Sequence, residues 1–221
     1  MMGNMVPDLQ RLIYFVDSPE HPFDLSKVPT DLGCEIVKVP IANWNDALTP
    51  WPAQGLRHRE PFGGRADATL AELLERIDED DAACAEASGS PIASDVLSVA
   101  LPCAIAGYSL GGLFALYAFT RSDRFRAVAS LSGSLWYDGW SDYLADADFP
   151  GAGRFAYLSL GTKEKRGMRE RLKTVEDETR RTETILRNKG VETQLVLTPG
   201  AHFDHVEDRI AAGLAALAAK I

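Results

Sequence analysis

The sequence predicts an α/β fold of three layers, with a mostly parallel central sheet, and three observations carry that prediction. Short apolar runs rich in β-branched or aromatic residues recur at 12–16, 34–41, 103–106, 125–131, 155–160 and 191–198. Amphipathic patterns of helical period fall between several of them, the alternation expected of parallel strands joined by crossovers. The run Cys103-Ala104-Ile105-Ala106 is apolar without alternation, as a strand covered on both faces would be.

Taken in order, Leu12 to Val16 (LIYFV) reads as a strand closed by Asp17-Ser18-Pro19, and Cys34 to Ile41 as a second, with Ile36 and Val37 β-branched and Pro40 at its exit. No clear helix connects them. Asn43 to Gly64 carries Trp44, Trp51, three prolines and a closing glycine pair with no sustained period, so it is expected to be a long shaped loop lining a site. Asp67 to Ile77 places Leu70, Leu73, Leu74 and Ile77 at helical spacing. The acidic cluster Asp78 to Asp81 then reads as a solvated helix face or frayed end, since no histidine or fixed oxygen pattern accompanies it. Glu86 to Ser94 is expected to be a flexible surface segment.

Leu101 to Thr120 is the stretch that organises the rest: a buried strand, a one-residue corner and a helix with Leu113, Leu116, Tyr117 and Thr120 on one face. In Gly107-Tyr108-Ser109-Leu110-Gly111 the glycines stand where strand and helix backbones come too close for a β-carbon. That pattern is the nucleophile elbow, with the Ser109 hydroxyl at the strand's carboxyl end. Downstream, Phe125 to Leu131 and Phe155 to Leu160 are strands, 138–149 is a short cap over the site, and Arg166 to Lys189 is one long helix stopped by Gly190. Met168, Leu172, Val175, Thr179, Thr182 and Leu186 lie near one face of that helix. Val191 to Thr198 is the last strand, and Val206, Ile210, Leu214 and Leu217 mark the last helix.

With 221 residues and 46% hydrophobic content, the chain suits a single domain over 1–221, with small cap or loop elements around 43–64 and 135–150. A net charge of -9 without a basic stripe argues against nucleic acid as a partner. Three cysteines without ligand spacing read as reduced thiols and imply no metal. The start has no basic region before a long apolar run, and no stretch approaches the roughly 18 apolar residues of a membrane helix, so a cytoplasmic location without membrane attachment is the expectation.

Serine is a poor nucleophile until a base takes its proton and an acid orients that base. Of four histidines, His202 follows the last strand, where a loop brings an imidazole back over the elbow; His205 is the reserve, and His21 and His58 precede the elbow. Glu164, directly after FAYLSL, is the candidate acid in the chain order serine, acid, histidine, with Asp142, Asp146, Asp148 and Asp177 behind it and a Ser-His dyad as a further alternative. The N–H of Leu110, opening the helix after the serine, is one oxyanion donor, and Ser18 in the loop after the first strand is the candidate for the second. Trp44, Trp51 and Trp136 are candidates to contact an apolar or aromatic part of a substrate, with packing as the competing role for each.

The elbow YSLGG, the following SLSGSLWY, the GTKE after the next strand and the PGAHF before the last helix together resemble the Putative esterase family of α/β-hydrolases, which includes the enterochelin (ferric enterobactin) esterases. Phe15-Val16-Asp17 is similar to that family's first active-site strand, and Asn45 to Pro50 to its loop after the second strand; the resemblance runs from about Leu12 to Ala219. It implies an α/β-hydrolase-type fold, Ser109 as nucleophile, Glu164 as acid, His202 as base, and a serine hydrolase that cleaves small-molecule carboxylic esters through an acyl-enzyme without a cofactor. The chain departs from the pattern at Ser18, where the family usually has glycine, and at Ala47, where an acidic or polar residue is frequent. A thioesterase or acyltransferase would use the same acyl-enzyme, and a degenerate hydrolase fold retained for binding is the reading from a different class. Oligomeric state is left open.

Overall fold

The computed structural model describes residues 11–56, 61–87, 103–166 and 170–221. Strand β1 (Leu12–Asp17) is wholly buried, and β2 (Glu35–Pro40) pairs with it in parallel at the sheet edge. The long loop expected at 43–64 has structure of its own. Asn43 turns the chain with a positive φ of 53° into the short helix α1 (Trp44–Ala47), and strands β3 (Pro52–Ala53) and β4 (Phe62–Gly63) form a small antiparallel ribbon. Thr49 ties the two ends together, its hydroxyl donating to the Asn45 carbonyl and accepting from the Gly64 N–H.

Helix α2 (Ala66–Ala87) runs ten residues past the expected end at Ile77. The acidic cluster therefore lies within it, and it is not simply solvated: Asp78 and Asp81 flank the Arg124 guanidinium at 2.8 and 2.5 Å, and Asp80 accepts the Tyr14 hydroxyl at 3.0 Å. The segment expected to be flexible, from Glu86 to Ser94, falls outside the described residues beyond Ala87. Strand β5 (Cys103–Tyr108) leads into α3 (Leu110–Arg121), then β6 (Phe125–Leu131), α4 (Trp140–Asp146) and β7 (Phe155–Gly161). The expected single helix over 166–189 is divided. A 3₁₀ turn (Glu164–Arg166) precedes α5 (Glu170–Lys173), and α6 (Val175–Asn188) follows after Thr174, whose hydroxyl bonds back to the Arg171 carbonyl. Met168 lies outside the described residues. Strand β8 (Glu192–Thr198) and α7 (Val206–Ala218) complete the chain.

The main sheet has six parallel strands in the order β2-β1-β5-β6-β7-β8. Chain direction across the sheet reverses between β1 and β5, and in such sheets the crevice outside the carboxyl ends at this switch point is where ligands bind. Alternate residues of β1 feed different layers. Leu12, Tyr14 and Val16 join the core under α2, α3, α4 and α6, whereas Ile13 and Phe15 join the core under α7. The helical cover is lopsided. Among the described residues the second face has α7 alone, and the rest of its cover is the irregular 18–34 connection, which lays Phe23, Leu25, Val28 and Leu32 on the sheet. Pro19, Pro22, Pro29 and Gly33 explain why no helix forms there. Arg154, 4% exposed, closes the far end of the sheet by donating to the carbonyls of Phe125, Phe119, Ser122 and Pro150 with its guanidinium over the Phe119 ring.

Candidate active site

Ser109 sits at the corner between β5 and α3 with φ 57° and ψ -121°, a conformation that L side chains rarely adopt. The flanking glycines permit it. A β-carbon on Gly107 would stand 2.3 Å from the Gly111 carbonyl oxygen, so strand and helix meet where no side chain fits. The corner is pinned from both sides: the Ser109 N–H donates to the Leu131 carbonyl at 3.0 Å, and its own carbonyl accepts from Gly112, Leu113 and Ser134. Strain is thereby held by the hydrogen bonds around it.

Three side chains from three different loops converge at this corner. The Ser109 hydroxyl lies 3.1 Å from His202 Nε2, and His202 Nδ1 lies 2.7 Å from Glu164 Oε2. The His202 side chain is 29% exposed and Glu164 only 5%, so the imidazole faces the crevice and the carboxylate lies behind it. Glu164 Oε1 accepts the Gly161 N–H at 2.7 Å, which folds the 3₁₀ turn back onto the end of β7. Burial pushes the Glu164 carboxyl up, but the hydrogen bond and charge of His202, the Gly161 N–H and the Ser132 hydroxyl outweigh it and hold the carboxyl below its ordinary range. A carboxylate facing Nδ1 fixes the tautomer: Nδ1 carries the proton, and Nε2 offers its lone pair to Ser109.

The other candidates are not brought together with these. His205 caps α7 with a φ of 57°, its side chain 63% exposed and 3.7 Å from Asp208. His21 is exposed, its N–H donating to the Ser18 hydroxyl, and His58 falls outside the described residues. Asp142 is an exposed partner of Arg181, and Asp146, Asp148 and Asp177 are exposed as well. As the first residue of α3, Leu110 has an N–H without a partner inside the helix, next in the chain after the serine.

Ser18 requires a correction. Its N–H, expected to face an oxyanion, donates to Asp17 Oδ1 at 2.9 Å. The cause is Asp17 itself, 4% exposed, whose Oδ1 also accepts the Phe23 N–H at 2.8 Å while its Oδ2 pairs with Lys38 at 2.9 Å. A buried carboxylate at the strand end gathers the nearest N–H groups, and Ser18 is one of them.

The tryptophans divide. Trp44 stands beside the elbow, its ring edge 3.6 Å from where a Gly111 β-carbon would be, with the Phe23 ring tilted against it at 6.0 Å and a buried indole N–H that has no hydrogen-bond partner among the described residues. Trp51 donates its indole N–H to the Asp138 carbonyl at 2.9 Å and packs on Tyr137 and Tyr143, so it braces the 51–53 segment against the start of α4. Trp136 is 9% exposed against Phe62 and Tyr137. It lines a cavity of about 470 Å³ between 136–142 and 170–181 that contains none of Ser109, Glu164 and His202.

Several residues at the site were not singled out from the sequence. Ser134, within SGSLW, places its hydroxyl 3.4 Å from that of Ser109. Tyr108 donates its hydroxyl to the His202 carbonyl, and burial pushes that phenol up, keeping it a donor. Arg209 is fully buried on α7 and reaches both Glu164 and the His202 loop. A signal for it exists in the sequence, because an arginine at 209 falls on the apolar stripe 206, 210, 214, 217 where a charge must find partners. Among the described residues no group of three or more His, Cys, Asp or Glu is placed to hold a metal ion, and no helix is long and apolar enough to cross a membrane.

Comparison with known proteins gives concordant likenesses. An uncharacterized protein of Bacillus subtilis strain 168, YbbA, is 28% identical over 174 residues, which is 74% of this chain; the chain spans 64% of the length of that curated relative. Among solved structures, an IroE-like serine hydrolase from Shewanella oneidensis superposes with a TM-score of 0.65 at 19% identity, over 94% of this chain and 70% of that one. The siderophore hydrolase EstA of Aspergillus nidulans gives 0.63 at 19% over 97% and 84%, and the enterobactin esterase of Shigella flexneri 0.63 at 18% over 95% and 53%. With the parallel six-stranded sheet, these likenesses establish an α/β-hydrolase-type fold. The family model described as Putative esterase matches residues 89–207, a span that takes in Ser109, Glu164 and His202. Because that match covers more than half of the sequence, the chain belongs to the Putative esterase family.

Proposed function

We propose that this chain is a serine hydrolase that cleaves carboxylic esters of small molecules through an acyl-enzyme, with Ser109 as nucleophile, His202 as base and Glu164 as the acid that orients it. The observation that carries the reading is the unbroken relay from Glu164 Oε2 to His202 Nδ1 at 2.7 Å and from His202 Nε2 to the Ser109 hydroxyl at 3.1 Å, built on a strained corner. Family membership supports an ester as the substrate.

In this reading Ser109 Oγ attacks the ester carbonyl carbon while its proton passes to His202 Nε2. The imidazolium so formed is stabilised by the ionised Glu164, and the negative charge on the carbonyl oxygen is met by the Leu110 N–H at the start of α3. Collapse of the tetrahedral intermediate breaks the bond to the alcohol, which leaves with the proton from Nε2. Water, deprotonated by the same nitrogen, then cleaves the acyl-Ser109 bond, and the acid departs. Trp44 beside the elbow offers an apolar wall, which favours an apolar or aromatic acyl group. Proteins that share this fold carry names stating siderophore and ferulic acid ester hydrolysis, which fits a small aromatic ester as the class to try first.

Labelling with a fluorophosphonate probe tests the reading. The wild type is expected to label on Ser109, Ser109→Ala not at all, and His202→Ala and Glu164→Ala far more slowly. A p-nitrophenyl ester should give a burst of nitrophenolate equal to the enzyme present. A folded wild type that neither labels nor hydrolyses would overturn the proposal in favour of a binding module.

A further inference from the structure

Glu164 and His202 reach the site on separate loops, after β7 and after β8, and a direct hydrogen bond of 2.7 Å is their one side-chain contact. Both loops are also held by a third element. Arg209, with a side chain that is 0% exposed, enters from α7 and spreads its guanidinium between them. Nη1 lies 3.4 Å from Glu164 Oε1 and 3.4 Å from the His202 carbonyl; it also bonds to the Tyr108 hydroxyl at 2.9 Å and to Ser132 Oγ at 3.0 Å. Nη2 reaches the carbonyls of Ala201 and Pro199 at 3.1 and 3.4 Å, and Nε donates to Thr198 Oγ1 at 2.7 Å. Space is reserved for this fork: a β-carbon on Gly161, the glycine of the GTKE segment, would stand 2.5 Å from Nη2.

We propose that Arg209 is a positioning residue which clamps the Glu164 turn and the 198–202 loop into one unit, setting the distance from the imidazole to Ser109 and balancing the charge of the buried carboxylate. The inference rests on the hydrolase reading of the site and adds to it the device that keeps acid and base in register. A buried guanidinium is tolerated only when its donors are met, and here they are met by backbone carbonyls of the very loop that carries the base. No other side chain offers several donors in a fixed plane, so lysine replaces the charge without replacing the fork.

The test follows from the geometry. Loss of the fork lets the His202 loop drift, and a displacement near 1 Å costs about a hundredfold in rate. Substrate binding does not pass through the fork, so the loss falls on kcat and not on KM.

The experiment measures kcat and KM of p-nitrophenyl acetate hydrolysis, and the rate of fluorophosphonate labelling, for wild type, Arg209→Met, Arg209→Lys and Thr198→Val. Arg209→Met is expected to lose about a hundredfold in kcat with KM within about twofold, and to label with the fluorophosphonate correspondingly more slowly. Arg209→Lys should restore part of that and lose about tenfold in kcat, and Thr198→Val a few-fold. An Arg209→Met enzyme that matches wild type, or whose loss falls on KM instead of kcat, overturns the proposal. Should that variant fail to fold, Arg209→Lys and Thr198→Val both within twofold of wild type overturn it equally. Retained hydrolysis in Ser109→Ala would instead strike the hydrolase reading, whatever Arg209 does.

Discussion

Ser109, His202 and Glu164 act as one device if the proposed chemistry is right, and their deletions should then fail to add. Ser109→Ala and His202→Ala are each expected to lower kcat about 10⁶-fold, with the double variant no slower than either, and Glu164→Gln about 10⁴-fold. Steady-state hydrolysis of a p-nitrophenyl ester checks all four. Glu164 also makes a prediction about stability. Its carboxyl is held below its ordinary value of 4.5 in the fold, so the unfolded chain takes up the proton first as pH falls. The stability this group contributes is therefore whole above that value and lost as pH falls through the lower native one. Urea midpoints of wild type and Glu164→Gln should differ at neutral pH and converge below about pH 4.5. Midpoints that stay equally far apart down to pH 3 would contradict it. Ser109, Glu164 and His202 could be picked out as candidates in the sequence because each stands just past the end of a strand, Ser109 directly after β5 and the other two in the short loops after β7 and β8. Asp17, which takes the Ser18 N–H, was not: its burial and its pairing with Lys38 are set by neighbours across the sheet.

At the scale of elements, the corner between β5 and α3 was readable because the glycine spacing is a steric requirement printed in the chain. Gly107→Ala tests it. The added carbon would overlap the Gly111 carbonyl, whose backbone position is fixed by α3, and the expected loss is about 3 kcal/mol, measured by urea unfolding. A variant as stable as wild type would mean that strand and helix meet less closely than described. The 166–189 segment shows where periodicity falls short. Val175, Thr179, Thr182 and Leu186 are the buried stripe of α6, so the pattern was right for that helix. It carried no mark of the division at Thr174, because one residue out of helix barely disturbs a 3.6-residue repeat. Helix α2 erred the other way: its acidic end looked frayed because the cation that steadies it, Arg124, is 43 residues from Asp81. The ribbon of β3 and β4 was equally hidden, each strand being two residues long and held by Thr49 rather than by any alternation.

For the whole molecule, the uneven cover of the sheet matters most. One face is covered mainly by α2, α3, α4 and α6, whereas Ile210, Leu214, Leu217 and Ala218 of α7 supply the helical cover of the other among the described residues. Leu214 is fully buried there, and Leu214→Ala should cost about 2–5 kcal/mol, read as a fall in the urea midpoint. The strand alternation that gave the fold class could not show this lopsidedness, since a proline-rich connection reads only as a loop and not as a surface lying on the sheet.

Because α7 both roofs that face and holds Arg209 against the loop behind the imidazole, heat has no gentle route to an inactive yet intact protein. Warming until esterase turnover halves should coincide with the loss of near-ultraviolet circular dichroism, and fading of turnover at a distinctly lower temperature would show that the crevice can come apart while its roof stays on.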